Sequence, residues 1–159
     1  MKIGTKERYA VMALIDLAHF GRAGQPVTSA DVSSRQSISV PYLEQVFVKL
    51  RQKGFVKSQR GKAGGYSLAR PATEIRISDI LDAMDAGVHT TRCAPASGEG
   101  CLHDKGRCMT HDLWEGLSET MNVYLKSITL ADVTEGRLPH KTSCAKKACG
   151  QREVAWSFA

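Results

Sequence analysis

The sequence predicts a mainly α fold carrying one small β-hairpin, and three observations predict it. Apolar residues recur at three- and four-residue spacing in successive stretches up to residue 53, the period of amphipathic helices. Between residues 55 and 70 that period gives way to two short strand-like runs around a glycine-rich tip. From about residue 110 to residue 128 the longest apolar stripe of the chain returns to helical spacing. Three helices followed by a glycine-tipped hairpin is the order of a winged helix-turn-helix, here with a long dimerisation helix added.

In order, Thr5 is expected to cap a first helix running to about Phe20, with Ala10, Ala13, Leu14, Leu17 and Ala18 on its apolar face. Residues 21–26 form a turn. Thr28-Ser29-Ala30-Asp31 has the form of a capping box with Asp in place of Glu and opens a short helix ending near Arg35. Ser39 caps a third helix that tolerates Pro41 in its first turn and stops at Gly54. Phe55–Arg60 and Tyr66–Arg70 read as the strands, with Gly61, Gly64 and Gly65 between them. Ser78 to Ala86 reads as a short helix with Ile80, Leu81 and Met84 inward. The long helix from Thr110 to Ile128 places Leu113, Leu117, Met121, Tyr124 and Ile128 in one stripe beside Trp114, and that stripe is expected to form a subunit interface. Thr129-Leu130-Ala131-Asp132 starts a last short helix. The expected organisation is a DNA-binding domain over residues 1–86, a ligand loop over 87–109, the dimerisation and docking helices over 110–135, and a flexible tail over 136–159.

Charge divides the same way. The chain of 159 residues carries a formal net charge of +6. Residues 1–70 hold 12 Lys and Arg against 4 Asp and Glu, whereas residues 71–159 hold 10 against 12. A basic first half suits a phosphate-binding surface. No apolar run approaches the roughly 20 residues of a membrane span, and the first residues lack a signal-peptide core. A cytoplasmic protein without membrane contact is expected. In that reducing compartment the five cysteines are metal ligands or free thiols rather than disulfides. No nucleophile–base set, phosphate loop or cofactor fingerprint points to an enzyme.

The third helix is the natural recognition helix, and Ser39, Tyr42, Glu44 and Gln45 are its candidates for base contacts. Gln reads adenine with two hydrogen bonds. Glu accepts from the cytosine amino group and is otherwise repelled by phosphate, which makes Glu44 a specificity filter. Lys49, Arg51 and Lys53 suit phosphate contacts. At the hairpin tip, Arg60, Gly61 and Lys62 are placed to enter a minor groove. Helix-turn-helix patterns also serve as purely structural cores; pattern and charge together favour DNA.

Cys93, Cys101, Cys108 and His111 lie within nineteen residues of one another, in a stretch interrupted by Pro95, Gly98, Gly100 and Gly106. Cys108 and His111 are spaced i, i+3, which at a helix start points both side chains the same way. Three thiolates and one imidazole suit either tetrahedral zinc or an iron–sulfur cluster, and the residues alone leave both open. His103 reads as a solvent-facing loop residue.

Four stretches carry a resemblance. They are Arg8-Tyr9-Ala10-Val11; Ile38-Ser39 with Tyr42-Leu43-Glu44-Gln45; Arg60-Gly61 with Gly64-Gly65-Tyr66; and Cys108-x-Thr110-His111-x-Leu113-Trp114. Over about residues 1–135 the chain resembles the IscR-like iron–sulfur regulators within a wider family of winged-helix transcription regulators. The resemblance implies a homodimer on near-palindromic double-stranded operators and a 2Fe–2S cluster on Cys93, Cys101, Cys108 and His111. It implies that Glu44 tells two operator classes apart and that Gln45 and Arg60 touch DNA. It also implies repression of cluster-biogenesis genes in the loaded form, with the cluster-assembly machinery as donor. A nitric-oxide or iron-responsive regulator of the same family is the nearest alternative, and an iron–sulfur electron-transfer module a more distant one. The chain departs from the pattern in its seven- and six-residue gaps between cysteines, in Pro41, in Lys62-Ala63, and in a tail bearing Cys144 and Cys149.

Overall fold

The structure is a computed structural model that describes residues 4–21, 25–61, 64–84 and 106–139. Its elements are α1 (Thr5–Phe20), α2 (Ser29–Gln36), α3 (Val40–Gln52), β1 (Val56–Gln59), β2 (Gly65–Leu68), a 3-10 turn (Ala72–Glu74), α4 (Ile77–Ala83), α5 (His111–Ser127) and α6 (Leu130–Thr134). The order is the expected one: helices first, then a two-stranded antiparallel hairpin, then helices again. The expected ligand loop lies largely outside the described residues, as do residues 140–159 with Cys144 and Cys149.

One apolar core joins α1, α2, α3, the hairpin, α4 and α6. Leu14, Leu17, Leu43, Phe47, Leu50, Ile75, Ile80 and Leu130 are its largest fully buried apolar side chains. Each removes an apolar side chain from water, about 1.5–3 kcal/mol apiece. Leu43, Val46, Phe47 and Leu50 recur along the inner face of α3, leaving Pro41, Gln45, Val48 and Gln52 outside. The helix is therefore held on one side and open on the other.

Turn chemistry fixes how α2 meets α3. Thr28 accepts the Asp31 N–H at 3.1 Å and closes the start of α2. At its end Ser37 takes a left-handed conformation, φ 55°, which turns the chain sharply into α3. A second constraint comes from Asp16 of α1, which is buried. The guanidinium of Arg35 donates to both of its oxygens, at 3.0 and 2.7 Å, and Gln36 adds a bond at 2.9 Å. Arg35 also lies 4.1 Å over the Phe20 ring. The last turn of α2 is thereby fastened to α1, leaving no oxygen of the buried carboxylate unsatisfied.

The hairpin is bound to the rest through its backbone. Val27, just ahead of α2, exchanges two hydrogen bonds with Tyr66 of β2, at 2.9 and 2.8 Å. Gly65 is required there, because a Cβ would stand 2.4 Å from the Val27 carbonyl oxygen.

Several boundaries differ from the sequence expectation: the strands are Val56–Gln59 and Gly65–Leu68, and α4 ends at Ala83. Gly4 rather than Thr5 is the N-cap of α1, since the Gly4 carbonyl already accepts the Arg8 N–H at 3.2 Å. Ile77 rather than Ser78 starts α4. Ile128 is not on the α5 stripe: it is extended and buried, and pairs with the segment before α4. There the Ile77 N–H donates to the Ile128 carbonyl at 3.0 Å, and the Leu130 N–H donates to the Ile75 carbonyl at 2.8 Å. This short ladder joins the end of α5 to the start of α4 and so to the core.

The expected capping box of α6 is present, with Thr129 and Asp132 each accepting the other's backbone N–H. The Thr129 hydroxyl, then its N–H, holds the Asp132 carboxyl below its usual range. A depressed folded-state pKa means this stabilisation is full above the unfolded-state value and is lost as pH falls through the folded one. Thr129→Ala should lower stability by about 1 kcal/mol, read as a shift in the urea midpoint. It should also remove that part of the acid sensitivity.

Among the described residues, α5 is the one α-helix without a buried residue. Leu113 is 66% exposed and Val123 61%, with Trp114 and Leu117 also exposed. Only its C-terminal part leans on the core, through Tyr124 and Leu125.

Candidate nucleic-acid interface and ligand set

The basic side chains of α3 follow from its amphipathic pattern. With Leu43, Val46, Phe47 and Leu50 inward, Arg51 and Lys53 are exposed and Lys49 is half-buried. Ser39 stands at the N-cap, exposed, and makes no side-chain capping bond. Gln45, one turn on, is exposed. Arg60 and Gly61 stand exposed at the hairpin tip, Gly61 with φ +108°, and Lys62 lies outside the described residues. Gly64 permits the tip to close: a Cβ there would lie 2.4 Å from the Gln59 carbonyl oxygen. Arg51 donates to the Ser58 hydroxyl of β1 at 3.3 Å, so α3 and the hairpin also touch through polar side chains.

Tyr42 and Glu44 sit differently from Ser39 and Gln45. The Tyr42 ring is half-buried and packs edge-on against Tyr9 of α1, with centroids 5.4 Å apart. Glu44 is also half-buried. One of its oxygens accepts a hydrogen bond from the Ser29 hydroxyl at the start of α2. The other accepts from the Tyr66 hydroxyl of β2, at 2.8 Å. The Tyr66 ring stacks on Phe47, centroids 4.2 Å apart and planes 13° from parallel. Burial, and secondarily the bond to Glu44, pushes the Tyr66 phenol above its usual value. Reading the sequence for base contacts did not single out Ser29 or Tyr66 as partners of Glu44. Ser29 was legible only as part of a cap, and Tyr66 only as part of a glycine-rich motif.

The ligand candidates divide between described and undescribed residues. Cys93 and Cys101 lie outside the described residues, as does His103. Cys108 and His111 occupy the turn that leads into α5, where the His111 N–H donates to the Cys108 carbonyl at 3.0 Å. The Cys108 thiol is half-buried, 3.5 Å from the Thr110 hydroxyl. The His111 side chain is 11% exposed, with Nε2 3.6 Å from a Glu115 carboxylate oxygen. A thiol and an imidazole within one turn are a suitable half of a mixed sulfur–nitrogen ligand set for a cluster or zinc. His111, Asp112 and Glu115 also come within 4.8 Å of one another. That group is open to solvent on its acidic side, and Asp112 already faces Arg107 at 3.6 Å.

A three-helix core with a recognition helix open on one side and a hairpin tied to its flank defines a winged helix-turn-helix. Solved structures share it: IscR of T. potens aligns with a TM-score of 0.68 at 38% identity over 86% of this chain and 88% of that one. CymR, the global cysteine regulator of B. subtilis, aligns at 0.72 and 27% identity over 86% and 98%. The family model described as Rrf2, iron-dependent transcriptional regulator, matches residues 3–136, and the chain belongs to that family. The HTH-type transcriptional regulator IscR of Cereibacter sphaeroides is 44% identical over 139 residues, 87% of this chain and 90% of that protein. IscR of Serratia proteamaculans is 44% identical over 137 residues, 86% and 81% of the two chains. The relatives are named as transcriptional regulators, not enzymes, as the sequence reading expected. Among the described residues, no helix is long and apolar enough to cross a membrane.

Proposed function

We propose that this protein is a cytoplasmic, homodimeric DNA-binding regulator, mainly a repressor. In this reading a 2Fe–2S cluster on Cys93, Cys101, Cys108 and His111 sets its operator choice. The genes it controls are those of iron–sulfur cluster biogenesis, and the cluster-assembly machinery supplies its cluster. The observation that carries the reading is the position of Cys108 and His111. They stand in the turn that starts α5, and the far end of α5 is hydrogen-bonded to the DNA-binding domain through Ile128 and Ile77.

A bound cluster supplies redox and occupancy chemistry; the chain supplies the connection. The exposed apolar face of α5, with Leu113, Trp114 and Leu117, supports packing against a second copy. Dimer geometry fixes the distance between two recognition helices, and so the half-site spacing each dimer fits. Ligation at one end of α5 then biases which operator the two α3 helices match. Ser39, Gln45, Arg60 and Gly61 are the exposed groups offered to DNA, Lys62 extends the tip in sequence, and Tyr42 and Glu44 flank them.

The test is a titration of cluster-loaded and apo protein, both anaerobic, against operator duplexes at one fixed salt. The loaded form should bind one operator class at least tenfold more tightly than the apo form does. Equal affinities for every operator would overturn the reading. In the same assay Arg60→Ala should cost about 1–3 kcal/mol if the wing enters a groove. Unchanged affinity would remove the wing from the interface.

A further inference from the structure

We propose that Ser29 and Tyr66 are positioning residues for operator choice: their hydroxyls hold the Glu44 carboxylate back from the DNA, and an operator must draw it away from them to be read. The inference rests on the reading of Glu44 as a specificity filter and adds to it what the filter works against.

The geometry has three parts. Both Glu44 oxygens are engaged, one by Ser29 and one by Tyr66 at 2.8 Å. The donors come from α2 and from the wing, not from α3 itself. Tyr66 is held in place by its stack on Phe47 and by the backbone exchange with Val27. Its hydroxyl is therefore a fixed point rather than a mobile donor.

Hydrogen bonds to a carboxylate are roughly twice as strong as neutral ones. A Glu44 held by two hydroxyls keeps its charge turned toward the protein. It then repels phosphate little, and it reads a cytosine amino group only after exchanging these donors for that one. Both effects compress the difference between operators that offer a cytosine opposite Glu44 and operators that do not. Loosening the hold should widen that difference. The released carboxylate gains its bond more readily where a cytosine amino group is present and meets phosphate repulsion where it is absent.

Tyr66→Phe removes only the hydroxyl and keeps the ring on Phe47; Ser29→Ala removes the other donor. The probe is an operator duplex selected from a random library by the protein itself. Alongside it runs a panel in which each C·G pair of the half-site is exchanged in turn for T·A, with binding measured at one salt. In wild type, one exchange should be sensitive to Glu44→Ala. At that position Tyr66→Phe should raise the affinity ratio between the original and exchanged duplex roughly tenfold, the low end for one hydrogen bond to a charged group. Ser29→Ala should move it in the same direction. In a Glu44→Ala background, Tyr66→Phe should leave the ratio unchanged.

An equal loss at every duplex, or the same effect of Tyr66→Phe with and without Glu44, would overturn the inference and make Tyr66 a direct DNA contact or a support of the wing. A ratio that Glu44→Ala itself leaves unmoved at every position would instead overturn the filter, and the inference with it.

Discussion

Arg35→Ala should destabilise the protein by about 3 kcal/mol, at the low end of the 3–5 kcal/mol seen when a buried ion pair loses one partner. The two partners are buried unequally. The Asp16 side chain has no exposure and the Arg35 side chain has 31%. Removing Arg35 leaves a carboxylate in the core with one remaining donor, Gln36 at 2.9 Å, and no counter-charge. Removing Asp16 instead leaves a guanidinium that already reaches solvent and still rests on Phe20. Asp16→Ala should therefore cost less than Arg35→Ala, although Asp16 is the more buried residue. Urea unfolding followed by circular dichroism measures both. Because the pair fastens α2 to α1, Arg35→Ala should also weaken operator binding beyond what the loss of one surface cation explains. A cost under about 1 kcal/mol would show that the pair behaves as an exposed one.

The second large effect is expected at the start of α5. Cys108→Ala should abolish cluster retention, and His111→Ala should weaken it, while neither unfolds the DNA-binding domain. The separation is expected because no apolar side chain of the first turn of α5 joins the core around Leu14, Phe47 and Leu130. Iron and sulfide content reads the first effect, and the thermal unfolding midpoint of the metal-free proteins reads the second. A large fall in that midpoint would show that the turn around Cys108 and His111 is structural. Retention of iron and sulfide by Cys108→Ala would remove Cys108 from the ligand set.

Much of the fold was legible because it rests on local chemistry. The apolar spacing of α1 and α3, the Thr28 and Thr129 caps, and the change of period at the hairpin are all written within a few residues of where they act. What the sequence hid lies in pairs far apart along the chain. Asp16 with Arg35 spans nineteen positions and Glu44 with Tyr66 spans twenty-two. No periodicity shows such partners. Glu44 is the instructive case: a carboxylate on a recognition helix was aimed by sequence reasoning at a base edge, whereas in the free protein it is turned to two hydroxyls. Ile128 was misplaced for the opposite reason. It continues the helical spacing from Tyr124, but the Thr129 cap requires extended backbone before α6, so the helix ends at Ser127. Of the proposed ligands, Cys108 and His111 lie in one turn joined by a backbone hydrogen bond, and Cys93 and Cys101 fall outside the described residues.

The central claim is that this winged-helix regulator carries an iron–sulfur cluster, and metal and sulfide analysis of anaerobically isolated full-length protein tests it most directly. About two irons and two acid-labile sulfides per chain are expected, with the visible absorption of a 2Fe–2S centre. Stoichiometric zinc with no sulfide, in protein that still binds its operator, would contradict it.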